Sequence, residues 1–309
     1  MRKLLFYRNY REFTGGHLKV WDYFNHTSVS GLFDPIVYFT PHSLHDSSNP
    51  WISNGKQTAA AWQPEMAEAL FLGGLDWTAV PIDFSKPVIN LIQHVRHADP
   101  SDPRFAFLKR PAVRICVSQE VADAINSSGE VIGPVVTIRN GISTEGFPEP
   151  ACERDVKVLI AGYKKPDLAA ELAKTLEADG IKVKCLTKQL PRYDYLSLVA
   201  KASVTVFLPN EREGFYLPAL EGMALKTFVV CPDCIGNRGF CIHEKNCLRP
   251  LYNIEMIASS CREALARISS DSAVDILSGG IRQFQAHSLS EERRLFLKLL
   301  HSIVPPYGI

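Results

Sequence analysis

Two carboxylates, Glu213 and Glu221, stand either side of a proline able to open a helix, in the stretch Glu213-Gly214-Phe215-Tyr216-Leu217-Pro218-Ala219-Leu220-Glu221. An apolar run ends at Leu208, and Pro209 to Glu213 read as a polar loop. The pattern predicts a strand whose carboxyl end delivers Glu213, then a helix from Pro218 with Glu221 in its first turn. Ligands of open parallel sheets sit at that edge. A helix N-terminus offers N–H groups and positive dipole to a phosphate. An ionised carboxylate only accepts hydrogen bonds, so it can take two vicinal hydroxyls at once. Two acids around a phosphate-binding helix start therefore suit a sugar nucleotide, one for the sugar and one for the ribose. The competing reading makes Glu221 a residue that complements the helix dipole and Glu213 loop surface.

Such a pair needs a parallel sheet to carry it, and the second half of the chain reads as one. Val156 to Gly162 is a buried strand. Pro166 opens a helix with Leu168, Leu172 and Leu176 on one face, and Gly180 is placed to cap it. Ile181 to Leu186 is the next strand, Pro191 starts a helix ending near Lys201, and Ser203 to Leu208 is a third strand. A helix to about Leu225 and a strand Thr227 to Val230 follow. Short strands alternating with helices predict helices on both faces of a parallel sheet. The first half begins alike: strand Lys3 to Tyr7, a Gly15-Gly16 turn, a helix from about His17, and strand Ile36 to Phe39. Pro41 to Gln63 reads as a long polar loop. Ala69 to Leu72, Val88 to Ile92, Ile115 to Val117 and Val135 to Ile138 are further strands. Ser143 to Asp155 is the candidate linker. At the end, Ser288-Leu289-Ser290-Glu291 has the form of a capping box. Leu295, Phe296, Leu299, Leu300, Ile303 and Val304 then make a helical apolar stripe.

Composition narrows the class. The chain has 309 residues, 46% hydrophobic and 22% charged, with a formal net charge of +1. Such a chain is globular, not intrinsically disordered. Its charge balance gives no reason to expect nucleic-acid binding. No apolar run approaches the ~18 residues that span a bilayer. The apolar start at Leu4 to Tyr7 is cut short by Arg8, Arg11 and Glu12, so it reads as a strand and not a signal peptide. Eight cysteines without such a signal suggest reduced thiols in a cytosolic protein.

The stretch from Glu213 to Ala224 resembles the E-x(7)-E signature of retaining GT-B glycosyltransferases of family 4 (the glycosyl transferases group 1). The similarity runs from Tyr195-Leu196 through Val204 to Phe207, and on through Val229-Val230 and Gly236-Asn237-Arg238. Ile115 to Ser118 and Ile138 to Ile142 match more weakly, so that most of residues 112 to 250 are covered. The resemblance implies an α/β fold of two Rossmann-like domains with a cleft between them: residues 1–145 on the acceptor side, 146–286 for the nucleotide sugar, and 287–309 returning to the first domain. It implies that Glu213 contacts the donor sugar and Glu221 the ribose. Lys164 and Lys165, after Gly162-Tyr163, would neutralise the diphosphate leaving group, although the family usually spaces an Arg and a Lys further apart. Phe215, Tyr216 and Leu217 would line the donor, with Tyr216 at a usual glycine crowding or re-shaping the sugar pocket. Thr14-Gly15-Gly16-His17 matches the family's Gly-Gly turn, where a glycine backbone can approach the diphosphate. A histidine facing the sugar would be His94 first and His97 second; either could instead be an ordinary surface histidine. Arg96 would meet an anionic acceptor or simply solvent.

Cys231, Cys234, Cys241 and Cys247, with His243 among them, have zinc-like spacing. Cys231 ends a strand, however, and the family holds no metal there, so the expectation is buried thiols with neither metal nor cofactor. Phe71 to Trp77 reads as strand then turn, with a second cleft loop as the alternative. Trp51, Trp62 and Trp77 could stack on an acceptor sugar or belong to the core. Together these readings expect transfer of a sugar from a nucleotide-diphosphate donor to a hydroxyl of a glycan or lipid-linked acceptor, with retention and without metal. The setting would be polysaccharide synthesis in the cytoplasm, with a peripheral position at the inner membrane face kept open. The rivals are a GT-B nucleotide-sugar epimerase and a non-catalytic binding subunit. A Rossmann oxidoreductase is disfavoured, because no G-x-G-x-x-G follows the first or the mid-chain strand.

Overall fold

Strand and helix follow the hydrophobic period closely, and they divide between two sheets. The computed structural model describes residues 2–303. Met1 and Val304, the latter expected in the terminal stripe, lie outside them. The chain forms two compact units, Met1–Gly141 with Leu289–Ile309, and Ile142–Ser288. The sequence had placed the borders at 145/146 and 286/287.

The first unit contains, in order, β1 (Arg2–Arg8), α1 (Gly15–Ser28), β2 (Phe33–Phe39), α2 (Pro50–Ser53), β3 (Thr58–Ala59), β4 (Ala69–Gly73), β5 (Val88–Ile92), β6 (Val113–Cys116), α3 (Gln119–Ser127) and β7 (Val135–Thr137). Its seven strands run parallel in the order β3-β2-β1-β4-β5-β6-β7. The order reverses between β1 and β4, which are paired through Leu4 to Phe6 and Ala69 to Phe71. One face carries Leu5, Ile36, Leu70, Leu72 and Trp77. On the other, Phe6 and Phe71 stack at 4.7 Å, because successive side chains of a strand point to opposite faces.

The second unit contains β8 (Val156–Ala161), α4 (Pro166–Ala178), β9 (Val183–Leu186), α5 (Arg192–Lys201), β10 (Ala202–Phe207), α6 (Leu217–Ala224), β11 (Phe228–Val230), α7 (Ile254–Arg267) and α8 (Asp271–Gln285). The last helix, α9 (Leu289–Ile303), belongs to the first unit. Four parallel strands run in the order β11-β10-β8-β9. Val158, Ile160, Val204 and Val206 pack beneath α4, α7 and α8. Leu159, Ala161, Phe207 and Val229 pack beneath α5 and α6. That alternation is why these strands read as continuous apolar runs. Gly180, at φ +76°, closes α4: its N–H and that of Ile181 return to Glu177 and Leu176.

Several expectations need correction. The segment Pro41 to Gln63 is not one loop, since it holds α2 and β3, and Trp51 within it is fully buried. Asn49 caps α2 by accepting from the Trp51 N–H at 3.2 Å, a local signal in a polar run. Trp77 is core as well, and Trp62 rests against Tyr7 at 4.8 Å. The expected linker, Ser143 to Asp155, begins just after the border at Gly141 and holds no fully buried residue, and its end is tied to the second unit. The Arg154 guanidinium donates to the carbonyls of Ala200, Ala202, Leu225 and Lys226. The buried stripe of α9 is narrow, Phe296 and Leu300, and it includes a charge, Glu292. Burial of that charge is compensated by Lys19 Nζ at 2.6 Å, His26 Nε2 at 3.1 Å and the Gly141 N–H at 2.6 Å. Helices α3, α7 and α8 had no counterpart among the expected elements.

Candidate active site

Glu213 reaches the carboxyl edge of the second sheet on the loop between β10 and α6. That loop is held from beneath by Ile235 to Asn237. Ile235 N–H donates to Glu211 O and Tyr216 N–H to Gly236 O, both at 3.0 Å. A Cβ on Gly236 would fall 2.8 Å from Glu213 O and 2.7 Å from Phe215 N, so only glycine lets the two segments touch. The turn after β8 comes to the same edge with Tyr163, Lys164 and Lys165. Lys165 N–H closes it onto Gly162 O at 2.8 Å. Gly162 itself is a packing glycine, since a Cβ there would sit 2.2 Å from the Ala169 Cβ of α4.

Charges of opposite sign meet across these two turns. Lys164 Nζ lies 2.5 Å from Glu213 Oε1 and 5.3 Å from the centroid of the Tyr216 ring. Lys165 Nζ donates to both Glu211 oxygens, at 3.1 and 2.9 Å. Backbone hydrogen bonding, then Lys165, holds the Glu211 carboxyl below its ordinary value. Of the two lysines, Lys164 is the one beside the expected sugar-binding acid. The pairing of each lysine with its own acid was not part of the sequence reading.

Glu221 departs from its expected position. Helix α6 begins at Leu217, so Pro218 is its second residue and no acid lies in the first turn. Glu221 falls one turn in, where its side chain is turned inward and only 3% exposed. Its carboxylate meets Arg192, the first residue of α5, with Nη1 2.8 Å from Oε1. Arg192 is half-exposed and its guanidinium lies 5.6 Å from the Phe147 ring centroid. Neither residue was singled out in the sequence, although Arg192 directly follows the helix-starting Pro191.

Three tyrosines surround the acids. Burial, then Glu221 and Glu213, pushes the Tyr163 phenol up to about 12. Burial and then Glu221 raise Tyr195 well above its ordinary value. Tyr216 is 1% exposed and packs edge-on to Phe207, so its bulk is absorbed by the core. The expected crowding of an open sugar pocket by this side chain is not what the packing produces. The hydroxyls of Tyr195 and Tyr216 are buried without hydrogen-bond partners. Phe215 packs against Phe240 at 5.0 Å and His287 at 5.7 Å, and Leu217 is buried at the start of α6.

The cysteines behave as small apolar residues. Cys231, Cys234, Cys241 and Cys247 are buried in the core beneath α6. Asn237 Nδ2 donates to Cys231 Sγ at 3.2 Å, and burial drives the Cys241 thiol far up. His243 instead accepts the Arg249 N–H on Nδ1 at 3.1 Å. No group of three or more His, Cys, Asp or Glu able to hold a metal ion occurs among the described residues.

The first unit has its own edge cluster. Gly15 and Gly16 are the first two residues of α1, not a turn before it, and Thr14 caps them by accepting from the His17 N–H at 3.3 Å. Gln93 Nε2 donates to Gly16 O at 3.3 Å. His94, half-buried after β5, accepts the Arg96 N–H on Nδ1 at 3.2 Å. His97 is buried, and burial followed by Arg104 lowers it to about 3. It is a neutral core histidine, which leaves His94 as the candidate. Arg96 is exposed. At the switch point, Arg8 from β1 pairs with buried Asp76 just after β4, a pair the sequence reading passed over. His17 beside it is lowered to about 4 by burial and by Arg8.

Comparison with known proteins gives the same architecture. Residues 144–267 match the family described as Glycosyl transferases group 1. No curated protein matches the sequence. The chain is similar to a sucrose-phosphate synthase from Thermosynechococcus elongatus at 13% identity and a TM-score of 0.74, over 98% of this chain and 99% of that one. It is similar to a glycosyltransferase from Rickettsia africae at 11% identity and a TM-score of 0.75, over 99% of each chain. It is also similar to Anabaena Alr3699/HepE in complex with UDP at 14% identity and a TM-score of 0.72, over 97% of this chain and all of that one. At such identities the likeness shows the fold: two α/β domains with parallel sheets, as in GT-B glycosyltransferases. No helix among the described residues is long and apolar enough to cross a membrane.

Proposed function

We propose that the chain is a glycosyltransferase that moves a sugar from a nucleotide-diphosphate donor to a hydroxyl acceptor with retention at the anomeric carbon. The observation that carries this reading is the Lys164–Glu213 pair, 2.5 Å apart, on adjoining loops at the carboxyl edge of β8 and β10. One member suits a diphosphate and the other suits sugar hydroxyls. In the reaction, the bond from the anomeric carbon to the diphosphate oxygen breaks. The acceptor oxygen forms its bond on the same face, and its proton passes to the departing phosphate oxygen. Lys164, with Lys165 behind it, stabilises charge growing on the diphosphate, so this reading needs no metal. Glu213 orients the sugar and Glu221 takes the ribose. His94 and the start of α1 at Gly15–Gly16 are proposed as further donor-binding groups.

Uridine donors are the first to test, since HepE, similar in fold, is described in complex with UDP and with UDP-glucose. Lipid-linked or polysaccharide acceptors follow from the family resemblance. The experiment incubates the protein with nucleotide sugars, with and without acceptor, and follows nucleoside diphosphate release and product configuration by NMR. Acceptor-dependent release with a retained anomeric centre is expected. Conversion of the donor without acceptor points to an epimerase. Binding without turnover of any donor makes the chain a binding subunit.

A further inference from the structure

Glu221 is nearly closed to solvent, and its charge must be compensated where it lies. Among the described residues its side chain has one partner, Arg192, which engages Oε1 at 2.8 Å and leaves Oε2 available. Arg192 and Tyr195 stand three residues apart on α5, hence on one face of the helix. Tyr195 carries a buried hydroxyl that has no partner, and Glu221 is the charge acting on it most strongly. The two oxygens share one carbon and one plane, so a guanidinium that holds Oε1 limits the directions in which Oε2 can point. A carboxylate oxygen that only accepts and a phenol that can donate or accept together match two adjacent hydroxyls.

We propose that Arg192 sets the ribose selectivity of the site, aiming the free oxygen of Glu221 and the Tyr195 hydroxyl at the cis-diol of a ribonucleoside. Arg192 is a positioning residue that acts through Glu221, and Tyr195 touches the ligand. The proposal rests on the nucleotide-sugar reading above and deepens it. It predicts that a nucleoside diphosphate lacking the 2′-hydroxyl binds more weakly because the buried acceptor loses its donor.

The test measures dissociation constants of UDP and 2′-deoxy-UDP by calorimetry for the native chain, R192A, R192K and Y195F, with circular dichroism to establish folding. The native protein should prefer UDP by about tenfold or more, the scale of a hydrogen bond to a charged group. R192A should bind UDP about tenfold more weakly, with 2′-deoxy-UDP changed by less than about twofold, so the preference collapses. R192K should restore part of the preference, because an ammonium reaches one oxygen without the planar fork. Y195F, which removes only the hydroxyl, should lower the preference in a folded protein even if R192A does not fold. The proposal is overturned if the native chain binds both nucleotides equally, if R192A weakens both to the same degree, or if R192A and Y195F keep the native ratio. A native chain that binds neither UDP nor any other nucleoside diphosphate contradicts the nucleotide-sugar reading itself, a different outcome from any of these.

Discussion

Replacing Glu213 by Gln should move two properties in opposite directions. Gln has nearly the shape of Glu but no charge, so Lys164 loses the counter-ion 2.5 Å away. Side-chain exposures of 28% for Lys164 and 14% for Glu213 place the pair between a surface and a buried ion pair. Partly exposed pairs contribute about 0.4–1 kcal/mol. Lys164 no longer has to be shared, so the dissociation constant for a nucleoside diphosphate should fall by about two- to fivefold at low ionic strength. The gain should shrink toward 1 M salt, where the Debye length is about 3 Å. Turnover should fall at the same time by about a hundredfold, equivalent to about 2.7 kcal/mol of barrier, because an amide orients the sugar hydroxyls less strongly than a carboxylate. Calorimetry of the nucleotide and an initial-rate assay with donor and acceptor read the two effects separately. A K164M background gives the control: the affinity gain must vanish there, since no lysine remains to be released. Nucleotide binding that weakens in E213Q, or a rate that stays native, refutes the reasoning.

Other expectations follow from the packing. G162A should destabilise the second unit by about 1–3 kcal/mol in urea unfolding, because the added methyl would sit 2.2 Å from Ala169 Cβ. Arg114 is fully buried and donates to the carbonyls of Phe107, Leu108, Arg110, Ala112 and Ile132. R114M should cost roughly 3–5 kcal/mol by leaving those acceptors bare, read from the same unfolding curves. His97 is lowered to about 3 by burial and by Arg104. Its folded pKa lies below its unfolded one, so its contribution is complete above pH 6.5 and is lost as pH falls from 6.5 toward 3. The loss should be about 2 kcal/mol by pH 5, and H97Q should flatten that part of a stability-versus-pH curve.

The sheets were legible because parallel strands are buried on both faces and read as apolar runs, as Val156–Ala161 and Ala202–Phe207 do. Helix starts were less legible. Proline marks only the first turn, and Pro218 is the second residue of α6, which carried Glu221 out of the first turn and against Arg192. Helix α7 was readable in hindsight: Asn253 caps it, and Ile257, Ala258, Cys261 and Ala264 lie at helical spacing. At the candidate site, residue types and spacing pointed to Glu213 and the family resemblance to Lys164 and Lys165, but neither recorded that Lys164 touches Glu213. An ion pair between residues 49 positions apart depends on two loops meeting, which no local pattern records. The same is true of Arg192 with Glu221 and Arg8 with Asp76. Tyr216 misled because a large residue at a usual glycine says nothing about which way its ring turns; here it turns into the core beside Phe207.

The central claim is tested most directly by thermal unfolding of the native chain and of E221A with nucleoside diphosphates, nucleoside monophosphates and NAD(P). A ligand at a hundredfold excess over its dissociation constant adds about 2.7 kcal/mol to the folded state, worth several degrees of melting temperature. The account predicts such a rise with a nucleoside diphosphate, little with NAD(P), and none with the diphosphate in E221A. A response to NAD(P) alone, or an E221A protein stabilised by the diphosphate as strongly as the native chain, would contradict it.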